Sequence, residues 1–200
     1  MPESVPVSSP ASVASSWNLP NAITVARLAM TLVLLVIIDQ TNWWLIATGL
    51  FIVAALSDVL DGYLARAWNQ ITTFGRILDP FVDKLLIGGS LIFLTARPES
   101  GVTAWLTFAV IAREMFVTGL RSFIERGGRD FSAQWSGKLK MALQSVTVPV
   151  CLLSLSPELQ QALGEGQGWW ELCRSVLLWA TLIITVYSGV EYTWRAFQRN

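Results

Sequence analysis

The chain of 200 residues has no histidine, only two cysteines, and charged side chains at just 14% of positions. Without histidine there is no imidazole to activate a serine or cysteine nucleophile, and no His-ligated zinc or haem. Cys151 and Cys173 are far apart and in no metal-binding spacing, so both read as buried small apolar residues rather than a disulfide or redox pair. Fourteen basic and fourteen acidic residues give zero formal net charge, which removes bulk attraction to nucleic acid. What fills the chain is apolar side chains, 53% of the total, the composition of a multi-pass membrane protein. Residues 1–17 contain no Lys or Arg and no long apolar stretch. They lack the parts of a secretory signal and are expected to form a mobile tail ahead of one membrane domain, 18–200.

A helix crossing the hydrocarbon needs about 20 apolar residues. Six runs meet this need: 22–38, 43–66, 79–96, 102–124, 139–155 and 172–194. The connections carry breakers: a polar 39–42, a tight turn at 97–101, a loop opened by Gly127 and Gly128, and a polar, glycine-containing loop at 156–168. The fold class predicted is all-α, with six transmembrane helices. With the N-terminus in the cytoplasm, Arg66, Arg76, Lys84, Arg121, Arg126, Arg129, Lys138, Lys140, Arg195 and Arg199 fall in or near inner segments, Arg27 lies just inside the first run, and only Arg97 and Arg174 lie near the outside. This bias predicts both termini inside. Trp43, Trp44, Trp105, Trp169 and Trp170 would form an outer interfacial belt and Trp17, Trp68, Trp135 and Trp194 an inner one, with Trp179 packed within the bundle.

Four aspartates stand at the ends of these runs. Asp58 and Asp61 are three apart, and Asp79 and Asp83 four apart, so each pair shares a helix face. The second run descends to the first pair and the third ascends from the other, which puts four carboxylates at the cytoplasmic ends of helices 2 and 3. A carboxylate at membrane depth costs roughly 2.5–3.5 kcal/mol, and four together repel unless cations hold them. Clustered oxygen donors suit two hard divalent ions, Mg²⁺ or Mn²⁺, and such a pair clamps the oxygens of a phosphoryl centre. Gly62, Ala65 and Gly75 leave room for a ligand against the backbone, and the planar fork of Arg66 suits a phosphate. Gly88 and Gly89 read as helix-packing positions. The alternative of a different class is a metal or proton transporter, whose ionisable residues usually lie near the midplane of several helices.

From Asp58 to Asp83 the sequence reads D-x2-D-G-x2-A-R-x8-G-x3-D-x3-D. This resembles the CDP-alcohol phosphotransferase family at every fixed position and both spacings. The resemblance implies a six-helix membrane enzyme, usually a homodimer, that transfers a phosphatidyl group from CDP-diacylglycerol to an alcohol and releases CMP. It implies that Asp58, Asp61 and Asp79 hold two metal ions. Asp83 would also lie at the metal site and act as base on the incoming hydroxyl. Asp61, Gly62, Ala65, Arg66 and Gly75 match the positions that meet the CDP moiety. The pattern around Asn18, Pro20, Asn21, Thr24 and Arg27, with Thr73, Arg76, Pro80, Lys84, Met115, Gly119, Gly137 and Gln144 further on, is similar to the bacterial branch that makes phosphatidylglycerol phosphate from glycerol 3-phosphate. That branch implies the inner membrane of a bacterial cell.

The basic residues point the same way. Arg113 and Glu114 lie inside an apolar run, where isolated charges are costly. Arg113 and Arg121 are about 80° apart around a helix, close enough to line one wet pocket, and Lys138 and Lys140 open the fifth helix on the same membrane side. Arg113, Arg121 and Lys138 are the expected acceptor-binding residues, since an anionic acceptor needs cations. The same chemistry with phosphatidylglycerol, giving cardiolipin, or with an inositol phosphate is the nearest alternative.

Overall fold

The six apolar runs are all helical, and most helices run beyond them. A computed structural model describes residues 19–67, 73–126 and 135–198; within these, the side chains of 20, 59, 61–67, 73, 74, 76, 125, 126 and 165 are not described. The helices are α1 (Leu19–Gln40), α2 (Trp44–Ala67), α3 (Thr73–Thr95), α4 (Ala104–Arg126), α5 (Trp135–Ser154), α6 (Pro157–Leu163) and α7 (Gln167–Gln198), and no strand occurs among the described residues. The predicted tail, 1–17, Trp68 and the Gly127–Gly128 loop lie outside the described residues.

Two boundaries move appreciably. α3 begins at Thr73 rather than 79, and α7 at Gln167 rather than 172. An apolar run marks where side chains leave water, whereas helical hydrogen bonding continues through polar turns as long as the backbone finds partners. The aspartates consequently stand within the end turns of the helices rather than at their termini: α2 continues nine residues past Asp58, and α3 starts six before Asp79.

The segment 156–168 is not a loop. Ser156 caps α6, its hydroxyl accepting from the Leu159 N–H at 3.1 Å, and Pro157 occupies the first turn, where its missing N–H is no loss. The predicted turn at 97–101 holds, as a 3-10 turn over Pro98–Ser100 closed by Gly101 at φ +75°, a left-handed conformation that favours glycine. Arg97 from this turn donates to the carbonyls of Ile38 and Asp39 at 3.0 and 2.8 Å and lies over the Trp44 ring. It therefore satisfies the orphan carbonyls at the end of α1 with a charge of the favourable sign.

α1 packs against α2 and α3, α5 against α2 and α7, and α4 against α3 and α7. One core joins them through Leu34 and Ile38 of α1, Phe51 of α2, Leu91 of α3, Val110 of α4 and Leu152 of α5. A Cβ on Gly89 would lie 3.0 Å from Leu35 Cδ1, so close α1–α3 approach explains this glycine. At Gly88 a Cβ would make only an ordinary 3.7 Å contact with Ile111, and packing does not require glycine there.

Many large apolar side chains face outward, among them Leu32, Val36, Ile52, Phe108, Ile183 and Val190. A soluble protein rarely exposes so much contiguous apolar surface, and a bilayer is the solvent that suits it. Among the described residues, Asn21–Gln40 and α7 are each long and apolar enough to cross a membrane, as is the pair α5 and α6 if its 85° bend is one broken span. Charged residues dilute α3 and α4. Trp179 is 65% exposed on the outer face of α7 rather than packed within the bundle, and Cys173 is exposed on the same helix while Cys151 is buried. Both follow from the length of α7, which turns only one stripe toward its neighbours. Trp44 is buried and Trp170 is half-buried with its indole N–H on Ser154 Oγ at 2.9 Å, so neither stands in an exposed belt.

Candidate active site

Thr24 and Arg27 stand three residues apart on α1 and so share a face. That face meets both acidic helices. Thr24 donates its hydroxyl to Asp79 Oδ1 at 2.6 Å, and the Arg27 guanidinium pairs with Asp58. Arg27 is fully buried and Asp58 is 34% exposed. A buried guanidinium requires a counter-charge, which accounts for an arginine inside the first apolar run. Asp83, one turn beyond Asp79, lies within electrostatic reach of Asp58, Glu114, Lys140 and Arg27. α1 thus contacts both Asp58 and Asp79, and Asp83 follows one turn further along α3.

Asp61, Gly62, Ala65 and Arg66 belong to the last turns of α2, and their side-chain surroundings lie outside the described residues. Gly75 is buried in the first turn of α3. Among the described residues, no three acidic groups already form a metal-binding set; Asp58 faces Arg27 and Asp79 faces Thr24. The donors nonetheless fit divalent cations. They are carboxylate oxygens, and a buried guanidinium already occupies the position of a positive charge beside Asp58.

Next to Asp83 opens a cationic pocket of about 320 Å³ built by α3, α4, α5 and α7. Its walls include Lys84, Arg113, Arg121, Lys138 and Lys140, against the single carboxylate of Glu114. All three expected acceptor residues are therefore in one cavity. A smaller pocket of about 80 Å³ shares Lys84, Glu114 and Lys140 with it and is lined by Asp83, so the acidic and basic regions adjoin.

The three cations are not equivalent. Arg113, a charge inside an apolar run, is paired. Its Nη1 donates to Glu114 Oε1 at 3.0 Å and its Nε to Ser188 Oγ at 3.0 Å, because a charge held away from water takes the nearest counter-charge and acceptor. Lys140 donates to the same Glu114 oxygen at 2.6 Å and is nearly buried. Lys138, two positions earlier and so about 200° around α5, is exposed at the pocket rim. Arg121 lies over the Tyr192 ring, its Nη2 3.4 Å from the phenol oxygen. Lys84 donates to Thr118 Oγ1 at 2.8 Å.

Sequence reasoning did not place Thr24, Arg27, Lys84, Lys140, Ser188 or Tyr192 among the site residues. Arg27 was detectable as a charge within an apolar run. Tyr192 and Ser188 gave no signal, since both lie in an apolar helix beyond the recognised pattern.

Residues 17–187 match the CDP-alcohol phosphatidyltransferase family. The chain is 34% identical over 205 residues to the CDP-diacylglycerol–glycerol-3-phosphate 3-phosphatidyltransferase of Bacillus subtilis, an alignment covering 92% of this chain and 99% of that protein. It is 31% identical to the protein of the same name in Rickettsia bellii, over 88% of this chain and 93% of the other. To the probable phosphatidylglycerophosphate synthase of Mycobacterium tuberculosis it is 34% identical, over 90% and 82%.

Proposed function

The chain belongs to the CDP-alcohol phosphatidyltransferase family, and we propose that it transfers the phosphatidyl group of CDP-diacylglycerol to glycerol 3-phosphate, forming phosphatidylglycerol phosphate and CMP. The names of its bacterial relatives support this reading. The observation that carries the acceptor is the cationic pocket, in which five Lys and Arg side chains outnumber one Glu beside Asp83. A small phosphate-bearing alcohol suits that charge and that volume.

Asp58, Asp61, Asp79 and Asp83 would hold two Mg²⁺ or Mn²⁺ ions. When bound, such ions stabilise negative charge on phosphoryl oxygens and on the departing CMP. The residues of the chain do the rest. Thr24 orients Asp79, and Arg27 keeps Asp58 compensated. Gly62, Ala65, Arg66 and Gly75 receive the CDP moiety. Arg121 and Lys138 bind the acceptor phosphate, with Arg113 and Lys140 behind them. The glycerol hydroxyl oxygen forms a bond to the phosphorus that bears the diacylglycerol, the bond from that phosphorus to the CMP oxygen breaks, and Asp83 takes the hydroxyl proton.

In this reading six helices span a bacterial inner membrane. Both termini and the site face the cytoplasm, where the basic residues concentrate, and the protein is a homodimer. The liponucleotide enters from the bilayer and glycerol 3-phosphate from water.

The test is CMP release by the purified protein supplied with CDP-diacylglycerol and one acceptor at a time. Glycerol 3-phosphate should support turnover, while phosphatidylglycerol and inositol 1-phosphate should not. Turnover with phosphatidylglycerol alone would replace this reading with cardiolipin synthesis.

A further inference from the structure

We propose that Tyr192, on the last helix, is a positioning residue that holds Arg113 and Arg121 at the spacing needed to grip the acceptor phosphate. The proposal rests on the reading of the cationic pocket as the glycerol 3-phosphate site.

Arg113 and Arg121 are eight residues apart on α4, about 12 Å along its axis at the standard rise. Two long side chains so placed have no intrinsic reason to converge, and their charges repel. Tyr192 meets both. The residue is 2% exposed, with the Arg113 Cζ 5.4 Å and the Arg121 Cζ 6.0 Å from its ring centroid. Both distances are within the range over which an aromatic face attracts a cation. The phenol oxygen meets Arg121 Nη2 at 3.4 Å. One ring thus offsets part of the repulsion and fixes both heads.

The surrounding backbone is cut to fit this arrangement. A Cβ on Gly137 would lie 3.2 Å from the Tyr192 phenol oxygen, so α5 approaches the ring through a residue without a side chain. On α7, Gly189 lies beneath Arg113, where a Cβ would come 3.4 Å from Arg113 Cγ, and Ser188 accepts from Arg113 Nε. Ser188, Gly189 and Tyr192 fall on one face of α7 and together form a seat for α4's arginines. A guanidinium stacked on a ring engages its face, whereas a phosphate is gripped by the N–H edge. Stacking therefore restricts the arginines, while Arg121 Nη2 also meets the phenol oxygen and Arg113 Nε and Nη1 are held by Ser188 and Glu114. Less side-chain freedom remains to be lost when the acceptor arrives.

The experiment is steady-state kinetics of the full-length protein with both substrates varied. Tyr192→Leu should raise the Michaelis constant for glycerol 3-phosphate by about 5- to 30-fold, the factor expected for a desolvated cation–ring contact, with kcat and the constant for CDP-diacylglycerol within about twofold. Tyr192→Phe, which keeps the ring, should restore most of the affinity. Inorganic phosphate, used as a competing probe, should inhibit Tyr192→Leu more weakly than the wild type. Tyr192→Met, which fills the space with an apolar chain but has no ring, keeps the test available if the Leu variant does not fold. It should likewise raise the acceptor constant severalfold. A Leu or Met variant that alters both Michaelis constants alike, lowers only kcat, or leaves acceptor affinity unchanged makes Tyr192 a packing residue and overturns the proposal. Wild-type protein that releases no CMP with glycerol 3-phosphate fails at the earlier step, and the assigned acceptor and the proposal then fall together.

Discussion

Arg27 of α1 and Asp58 of α2 form an ion pair whose cation is fully buried and whose carboxylate is about one-third exposed. The acidic neighbourhood therefore carries a positive charge of its own. Removing one partner of a buried pair leaves the other uncompensated, at a cost of about 3–5 kcal/mol; partial exposure of Asp58 brings the expectation for Arg27→Gln nearer 1–3 kcal/mol. Wild-type protein should lose only a little of its thermal midpoint on chelation, because Arg27 still compensates Asp58 once the ions leave. Arg27→Gln should unfold at lower temperature in chelator and regain much of the difference in Mg²⁺. Equal midpoints for the variant in chelator and in Mg²⁺ would show that no ion binds beside Asp58.

Asp58→Asn, Asp61→Asn or Asp79→Asn should each abolish CMP release in protein that still inserts and folds. Bridging two divalent ions requires charged oxygens, and an amide supplies only a neutral one. Chelation should stop the wild-type reaction, Mg²⁺ or Mn²⁺ should restore it, and the larger Ca²⁺ should restore it poorly. Near-normal turnover of Asp79→Asn would count against the two-ion reading.

Asp83→Asn should lower kcat by a factor of roughly 10² or more, the usual worth of a positioned base. Affinity for CDP-diacylglycerol should change little, because the nucleotide contacts are assigned to the 61–66 segment and Gly75. If instead only the Michaelis constant for the liponucleotide rises, Asp83 is a binding residue.

Arg121 and Arg113 should behave differently when cut to alanine. Arg121→Ala should raise the Michaelis constant for glycerol 3-phosphate and leave that for CDP-diacylglycerol nearly unchanged, as expected for a contact made equally in ground and transition states. Arg113→Ala removes a partner of Glu114 and Ser188 as well, so thermal stability should fall together with acceptor affinity. Stability measured beside kinetics separates the two; an Arg113 variant as stable as wild type would mean that its ion pair is not structural.

The acidic pattern from Asp58 to Asp83 was legible in the sequence, because residue type and spacing alone put pairs of carboxylates on helix faces. So was the helical, membrane character, which follows from apolar runs of sufficient length. The basic residues Arg113, Arg121 and Lys138 were legible as charges at or near apolar runs. The partners of these groups were not. Which residue of α1 faces Asp58, and that Glu114 joins Arg113 to Lys140, depend on how helices distant in sequence rotate and cross. Periodicity gives the faces of one helix, never the helix opposite. Lys138 and Lys140 read alike in the chain, yet the turn of α5 exposes one and buries the other. Tyr192 reads in the chain as an ordinary apolar-helix residue, and only the packing of α7 against α4 sets its ring against two arginines. Sequence thus determined the charged groups and the helical, membrane character, while tertiary packing decided which charges the protein pairs internally and which line the open pocket.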